Sequence, residues 1–132
     1  MSEPQKDENG YDIIPCKIVL VGQSGVGKTN IITKYVNNEF SEETESTNGA
    51  SFASKEISYE NLKKTLKMEI WDTAGQEKFR SLTRFFYKDA AIAILVYDIT
   101  RKNSYEEIKG YWYNQLKNCN ENLSKIFILF FI

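Results

Sequence analysis

The chain has 132 residues, 42% hydrophobic and 14% aromatic, which fits one globular domain and excludes a disordered chain. Lys plus Arg (17) nearly balances Asp plus Glu (18), so no global field draws it to nucleic acid or anionic lipid. Any phosphate binding is therefore local.

The chain has no His, which removes the commonest general base and transition-metal ligand. Cys16 and Cys119 lack metal-ligand spacing and fit a reduced, cytoplasmic setting. No apolar run approaches the ~20 residues of a membrane span.

Residues 1–12 read as a flexible arm, polar and charged, with a turn at Asn9-Gly10. They lack the apolar core of a signal peptide, and Ser2 excludes the myristoylation pattern. Residues 16–21 are apolar almost throughout, as a buried parallel strand is. Ile31, Ile32, Tyr35 and Val36 then recur at helical spacing. Residues 41–48 are rich in Ser, Thr, Glu and Asn and read as an exposed loop.

Two antiparallel strands follow at 51–59 and 62–72, joined at Glu60-Asn61. The second alternates, with Leu66, Met68 and Ile70 inward and Lys67 and Glu69 outward. Phe79, Leu82 and Phe86 mark a helix face, and residues 90–97 another central strand. Ser104 and Glu107 have the spacing of a capping box. Tyr105, Ile108, Trp112 and Leu116 would line that helix's buried face. A last apolar strand covers 126–132. The order β-α-β-β-α-β-α-β predicts an α/β fold with an open, mostly parallel sheet and one antiparallel edge strand. Ligands in such sheets sit at the carboxyl ends of the strands.

Residues 22–29 read G-Q-S-G-V-G-K-T, directly after a strand and opening a helix. This is the phosphate-binding pattern G-x-x-x-x-G-K-[ST]. Its glycines let consecutive N–H groups converge on one anion, and the helix adds the positive end of its dipole. Ser24, Gly25, Val26, Gly27, Lys28, Thr29 and Asn30 are the candidate binding residues, with Lys28 on outer phosphates and the Thr29 hydroxyl on Mg²⁺. The second motif is W-D-T-A-G-Q-E at 71–77. Asp72 ends a strand where its carboxylate can hold the metal, directly or through water. The Gly75 N–H can approach a terminal phosphate, and Gln76 can orient an attacking water.

These stretches, with K-F-R-S-L-T at 78–83, F-Y-K-D-A at 86–90 and L-V-Y-D-I-T at 95–100, resemble small GTPases of the Ras superfamily, and within it the Rab family. The resemblance covers about residues 14–129. It implies a Ras-like P-loop NTPase fold binding GTP or GDP with Mg²⁺. It makes Thr47 the switch threonine on Mg²⁺ beside Thr29 and Asp72, Phe40 the aromatic against the guanine ring, and Gln76 the catalytic glutamine. Phe52, Trp71 and Phe86 match the aromatic cluster on which Rab effectors land, although Trp71 equally suits core packing. Implied partners are a GTPase-activating protein, an exchange factor and effectors, meeting residues 47–52 and 71–86. Nothing in the sequence looks like an arginine finger supplied in cis.

Two departures shape the expectations. Asn48 follows Thr47 where Rab proteins carry Ile, which puts ordinary effector binding in question. The sequence given ends Phe130-Phe131-Ile132 where the family continues into its guanine-reading loop, so an incomplete GTPase domain at 13–132 lacking the C-terminal third is expected. No prenylated Cys is present in this stretch. Taken as written, the chain would be cytoplasmic, whereas the family implies the cytoplasmic face of vesicle or organelle membranes. The leading reading is a Rab-type GTPase in vesicle traffic, and the alternative a non-catalytic decoy that binds Rab regulators. An ATP-using P-loop kinase fits the first loop but gives Gly75 and Gln76 no role.

Overall fold

The computed structural model describes residues 2–37, 51–73, 86–119 and 125–131. Five strands, β1 (Asp12–Val21), β2 (Ser51–Tyr59), β3 (Lys64–Asp72), β4 (Ile92–Asp98) and β5 (Lys125–Phe131), form one sheet ordered β2-β3-β1-β4-β5. β1 runs parallel to β3 and β4, and β4 parallel to β5. Among the described strands only β2 is antiparallel, on the outer side of β3. The open, mostly parallel sheet with one antiparallel edge is thus the one expected.

β1 begins earlier than its apolar run because Asp12 already pairs with Lys64 of β3. On its other side β1 meets β4 only from Ile18 onward. This explains its burial: residues 12–17 stay at least partly exposed, while Val19, Leu20 and Val21 are buried. Pro15 falls between the short bridge from Gln5 and Lys6 and the start of β4, where β3 is its paired strand and a missing N–H on the open side is tolerated.

Alternation along β1 feeds two cores, one on each face of the sheet. Ile18 and Leu20 join Met68, Ile70, Val96 and Ile32 of α1 (Lys28–Asn37). Val19 and Val21 join Ala93 and Leu95 beneath α2 (Lys102–Glu107), a π turn (Ile108–Trp112) and α3 (Tyr113–Cys119). Of the helix expected around Phe79, only Phe86 and Tyr87 lie within the described residues, and both are helical.

Three expectations need correction. Within the arm expected at 1–12, residues 5–12 fold back on the sheet. Asp7 Oδ1 accepts from the N–H groups of Asn9 and Tyr11, each at 2.9 Å, and the Ile13 N–H donates to Gln5 O at 2.7 Å. Lys6 pairs with Asp12 at 2.7 Å, and the Thr65 hydroxyl donates to Asp7 Oδ2 at 2.6 Å. Polar composition suggested solvent, but these side chains serve as turn and cross-strand partners.

Ser104 is not the helix cap. Arg101 occupies that position, and the buried Ser104 hydroxyl accepts from Asp98 N–H and lies within bonding distance of the Asp98 and Arg101 carbonyls.

Tyr105 is 40% exposed rather than buried. The buried face instead runs through Ser104, Ile108, Trp112 and Leu116, at intervals of four. In an α-helix of ~3.6 residues per turn that spacing drifts around the axis, and the wider π turn at Ile108–Trp112 counteracts the drift.

Trp112 is fully buried. Trp112→Ala should lower stability by about 3–5 kcal/mol in urea denaturation, and Tyr105→Ala by far less. Equal losses at the two positions would contradict this helix register.

Candidate functional site

β1 delivers the chain into the loop at Gly22, whose backbone lies hard against β4. A Cβ there would sit 2.2 Å from the Val96 carbonyl oxygen, so the approach admits glycine alone. Gly25 has φ +80°, the left-handed region that turns the loop back. Between them and α1 the Val26 side chain is buried with Leu20 and Ile32, anchoring the loop in the core. α1 then opens at Lys28, and Ile31 N–H donates to Gly27 O at 3.0 Å.

Lys28 is 5% exposed. Its Nζ donates to the carbonyls of Gly22 at 2.9 Å and Gln23 at 3.0 Å, so the side chain lies back along its own loop. Burial pushes its pKa down from 10.5 to about 8; Asp72 opposes that shift and Arg101 adds to it. Asp72, at the end of β3, is fully buried and pairs in register with Leu20, two residues before Gly22. The Thr29 hydroxyl donates to Asp72 Oδ2. Thr73 closes this corner through its hydroxyl and its N–H, which donate to Leu20 O at 2.7 and 3.3 Å.

The stretch Ser24, Gly25, Val26, Gly27, Lys28, Thr29 and Asn30, distant in sequence from Asp72, thus shares one site with it at the carboxyl ends of β1 and β3. Phe40, Thr47, Gly75 and Gln76 lie outside the described residues. Phe52, Trp71 and Phe86 do come together. Phe52 meets Trp71 edge-on at 5.1 Å between ring centroids, and Trp71 lies 6.2 Å from Phe86. Phe52 is 51% exposed, while Trp71 and Phe86 pack partly against the core.

Sequence reasoning missed Arg101. Its Nη2 donates to Gln23 Oε1 at 2.5 Å and to Ser24 O at 3.1 Å. No motif spacing could have found it, because Arg101 lies 78 positions from Gln23 and only the β1–β4 pairing brings them together.

The donor set suits a small hard cation. Thr29 and Asp72 offer a hydroxyl and a carboxylate in contact, and Mg²⁺ takes few protein oxygens and completes its shell with phosphate and water. Among the described residues no cluster of three or more Cys, Asp or Glu competes as a metal cage.

A model of the Ras family matches residues 17–130. The chain is 43% identical over 113 residues to Ras-related protein YPTC6 of Chlamydomonas reinhardtii, covering 86% of this chain and 50% of that protein. It is 43% identical over 113 residues to Ras-related protein Rab-11A of Dictyostelium discoideum, covering 86% and 51%. It is 45% identical over 111 residues to Ras-related protein RABA2d of Arabidopsis thaliana, covering 84% and 49%. The chain therefore spans about half the length of the curated relatives it matches.

Lys28 makes stability depend on pH. Between about 8 and 10.5 the unfolded chain holds a proton that the folded chain has released, so stability rises with pH across that window. From pH 7 to 9.5, in the absence of nucleotide, the parent chain should gain about 2 kcal/mol relative to Lys28→Met in urea denaturation. A difference that stays flat would contradict a buried ammonium.

Proposed function

The chain belongs to the Ras family, with Rab-named relatives at about 43% identity, and on that footing we propose that it binds guanine nucleotide with Mg²⁺ and hydrolyses GTP as a switch in vesicle traffic. The observation that carries this reading is one corner holding the buried Lys28 and Asp72 with Thr29 bonded to Asp72, at the mouth of a glycine-lined loop. Lys28 rests on two loop carbonyls and gives them up when phosphate oxygens arrive. Thr29 and Asp72 would hold Mg²⁺, which neutralises charge on the phosphates.

Gln76 orients a water for attack on the γ-phosphorus, and the bond to the bridging oxygen breaks to release GDP and phosphate. Thr47 and Gly75 sense the γ-phosphate, and Phe40 covers the base. Order in the two segments around Thr47 and Gly75 then depends on the third phosphate, so effectors can tell the two nucleotide states apart. The half-exposed Phe52, in contact with Trp71, supports a landing surface for effectors. Activating and exchange proteins act through the same segments. The chain's place of action, by likeness to the Rab-named relatives, is the cytoplasmic face of vesicle or organelle membranes. Among the described residues no helix is long and apolar enough to cross a membrane.

Purified protein titrated with fluorescent GTP and ATP analogues tests this reading. Saturable, Mg²⁺-dependent binding of the triphosphate at micromolar or tighter is expected, with Lys28→Ala weaker by about a hundredfold, and guanine preference is expected where the family's guanine-reading loop is also present. Absence of binding, or binding indifferent to Lys28, would overturn it.

A further inference from the structure

Arg101 stands outside every motif, yet its guanidinium lies on the phosphate loop. Besides the bonds to Gln23 Oε1 and Ser24 O, its Nη1 lies 3.1 Å from where a Cβ on Gly25 would be. It therefore touches or overlies three consecutive residues of the loop. Its own backbone is fixed as well. Arg101 N–H donates to Asp98 O at 3.0 Å, and its carbonyl accepts from the Ser104 N–H at 2.9 Å and hydroxyl at 2.7 Å. Ser104 is fully buried and also accepts from Asp98 N–H at 3.0 Å. A rigid path thus runs from the end of β4, through Ser104, to a side chain gripping the loop.

We propose that Arg101 is a positioning residue for nucleotide binding, holding the phosphate loop in its anion-accepting shape through a fork on Gln23 and Ser24. The inference rests on the nucleotide-binding reading above. The two hydrogens of Nη2 lie in the guanidinium plane, so they meet the Gln23 side-chain oxygen and the Ser24 carbonyl in a fixed direction, whereas a rotating ammonium holds no such plane. The loop must present its N–H groups together, and a clamp on the opposite, carbonyl side at Ser24 restrains the peptide that carries one of them. The positive charge favours the phosphate-bound state further, while the loop's ordering entropy is met before the ligand arrives.

The test is the release rate of a fluorescent GDP analogue, with Mg²⁺, from the full chain and from Arg101→Ala, Arg101→Lys, Gln23→Ala and the Arg101→Ala/Gln23→Ala double variant. Arg101→Ala should release nucleotide about 10- to 100-fold faster, and Arg101→Lys, which keeps charge but not the planar donor pair, should fall between. Adding Gln23→Ala to Arg101→Ala should change little, because the two act through one contact. A merely structural role would lower the melting temperature yet leave the two positions uncoupled. Should Arg101→Ala fail to fold, the same coupling is read between Arg101→Lys and Gln23→Ala. Release within twofold of the parent, or effects that simply multiply, would overturn the positioning role alone. A parent chain that binds no nucleotide would overturn the underlying reading with it.

Discussion

Burying the Lys28 ammonium beneath its own loop strips it of water, and the surrounding oxygens have to replace that hydration. The loop carbonyls of Gly22 and Gln23 do so by direct hydrogen bonds, and Asp72 by its charge. Each of these is a weaker partner than a phosphate would be, and the depressed pKa of Lys28 records the deficit. A cation held this way is stable enough to persist and dissatisfied enough to favour an anion. The rest of the site follows from keeping it there.

The sheet supplies the geometry. Parallel pairing of β1 with both β3 and β4 brings three strand ends to one edge of the molecule. From β3 comes Asp72, from β1 the glycine-lined loop, and from the end of β4 the segment that carries Arg101. The contact of Gly22 with Val96 fixes how closely the loop approaches β4. The two cores, one on each face, make that edge rigid, since Val19 and Leu20 are committed to opposite sides. Thr73 adds its hydroxyl to the end of β1 and locks the Asp72 corner.

Much of this was legible because the residues concerned act locally. The spacing of Gly22, Gly25, Gly27, Lys28 and Thr29 encodes a turn and a helix start, and the apolar runs of β1 and β4 encode burial on both faces. What escaped was tertiary. Ser104 looks like a cap in sequence, but packing against β4 draws it one turn inward and gives its hydroxyl to Asp98 and Arg101. Tyr105 was expected inside because the helix was read with regular α spacing, which the π turn breaks. Asp7 reads in sequence as part of a solvated arm, whereas its carboxylate is bonded by Thr65 of β3, 58 positions away. Arg101 is the sharpest case, since its partners are brought close only by the sheet.

The central claim is that backbone N–H groups at the start of α1 and in the loop before it form an anion cradle completed by Lys28, Thr29 and Asp72. Amide hydrogen exchange reads those groups directly. Adding GDP with Mg²⁺ should slow exchange at residues 25–29 by about tenfold or more, while the amides at 57–59 of β2, at the opposite end of β3 from Asp72, change little. Unchanged exchange at 25–29, under conditions where the nucleotide is bound, would place the ligand elsewhere and contradict the account.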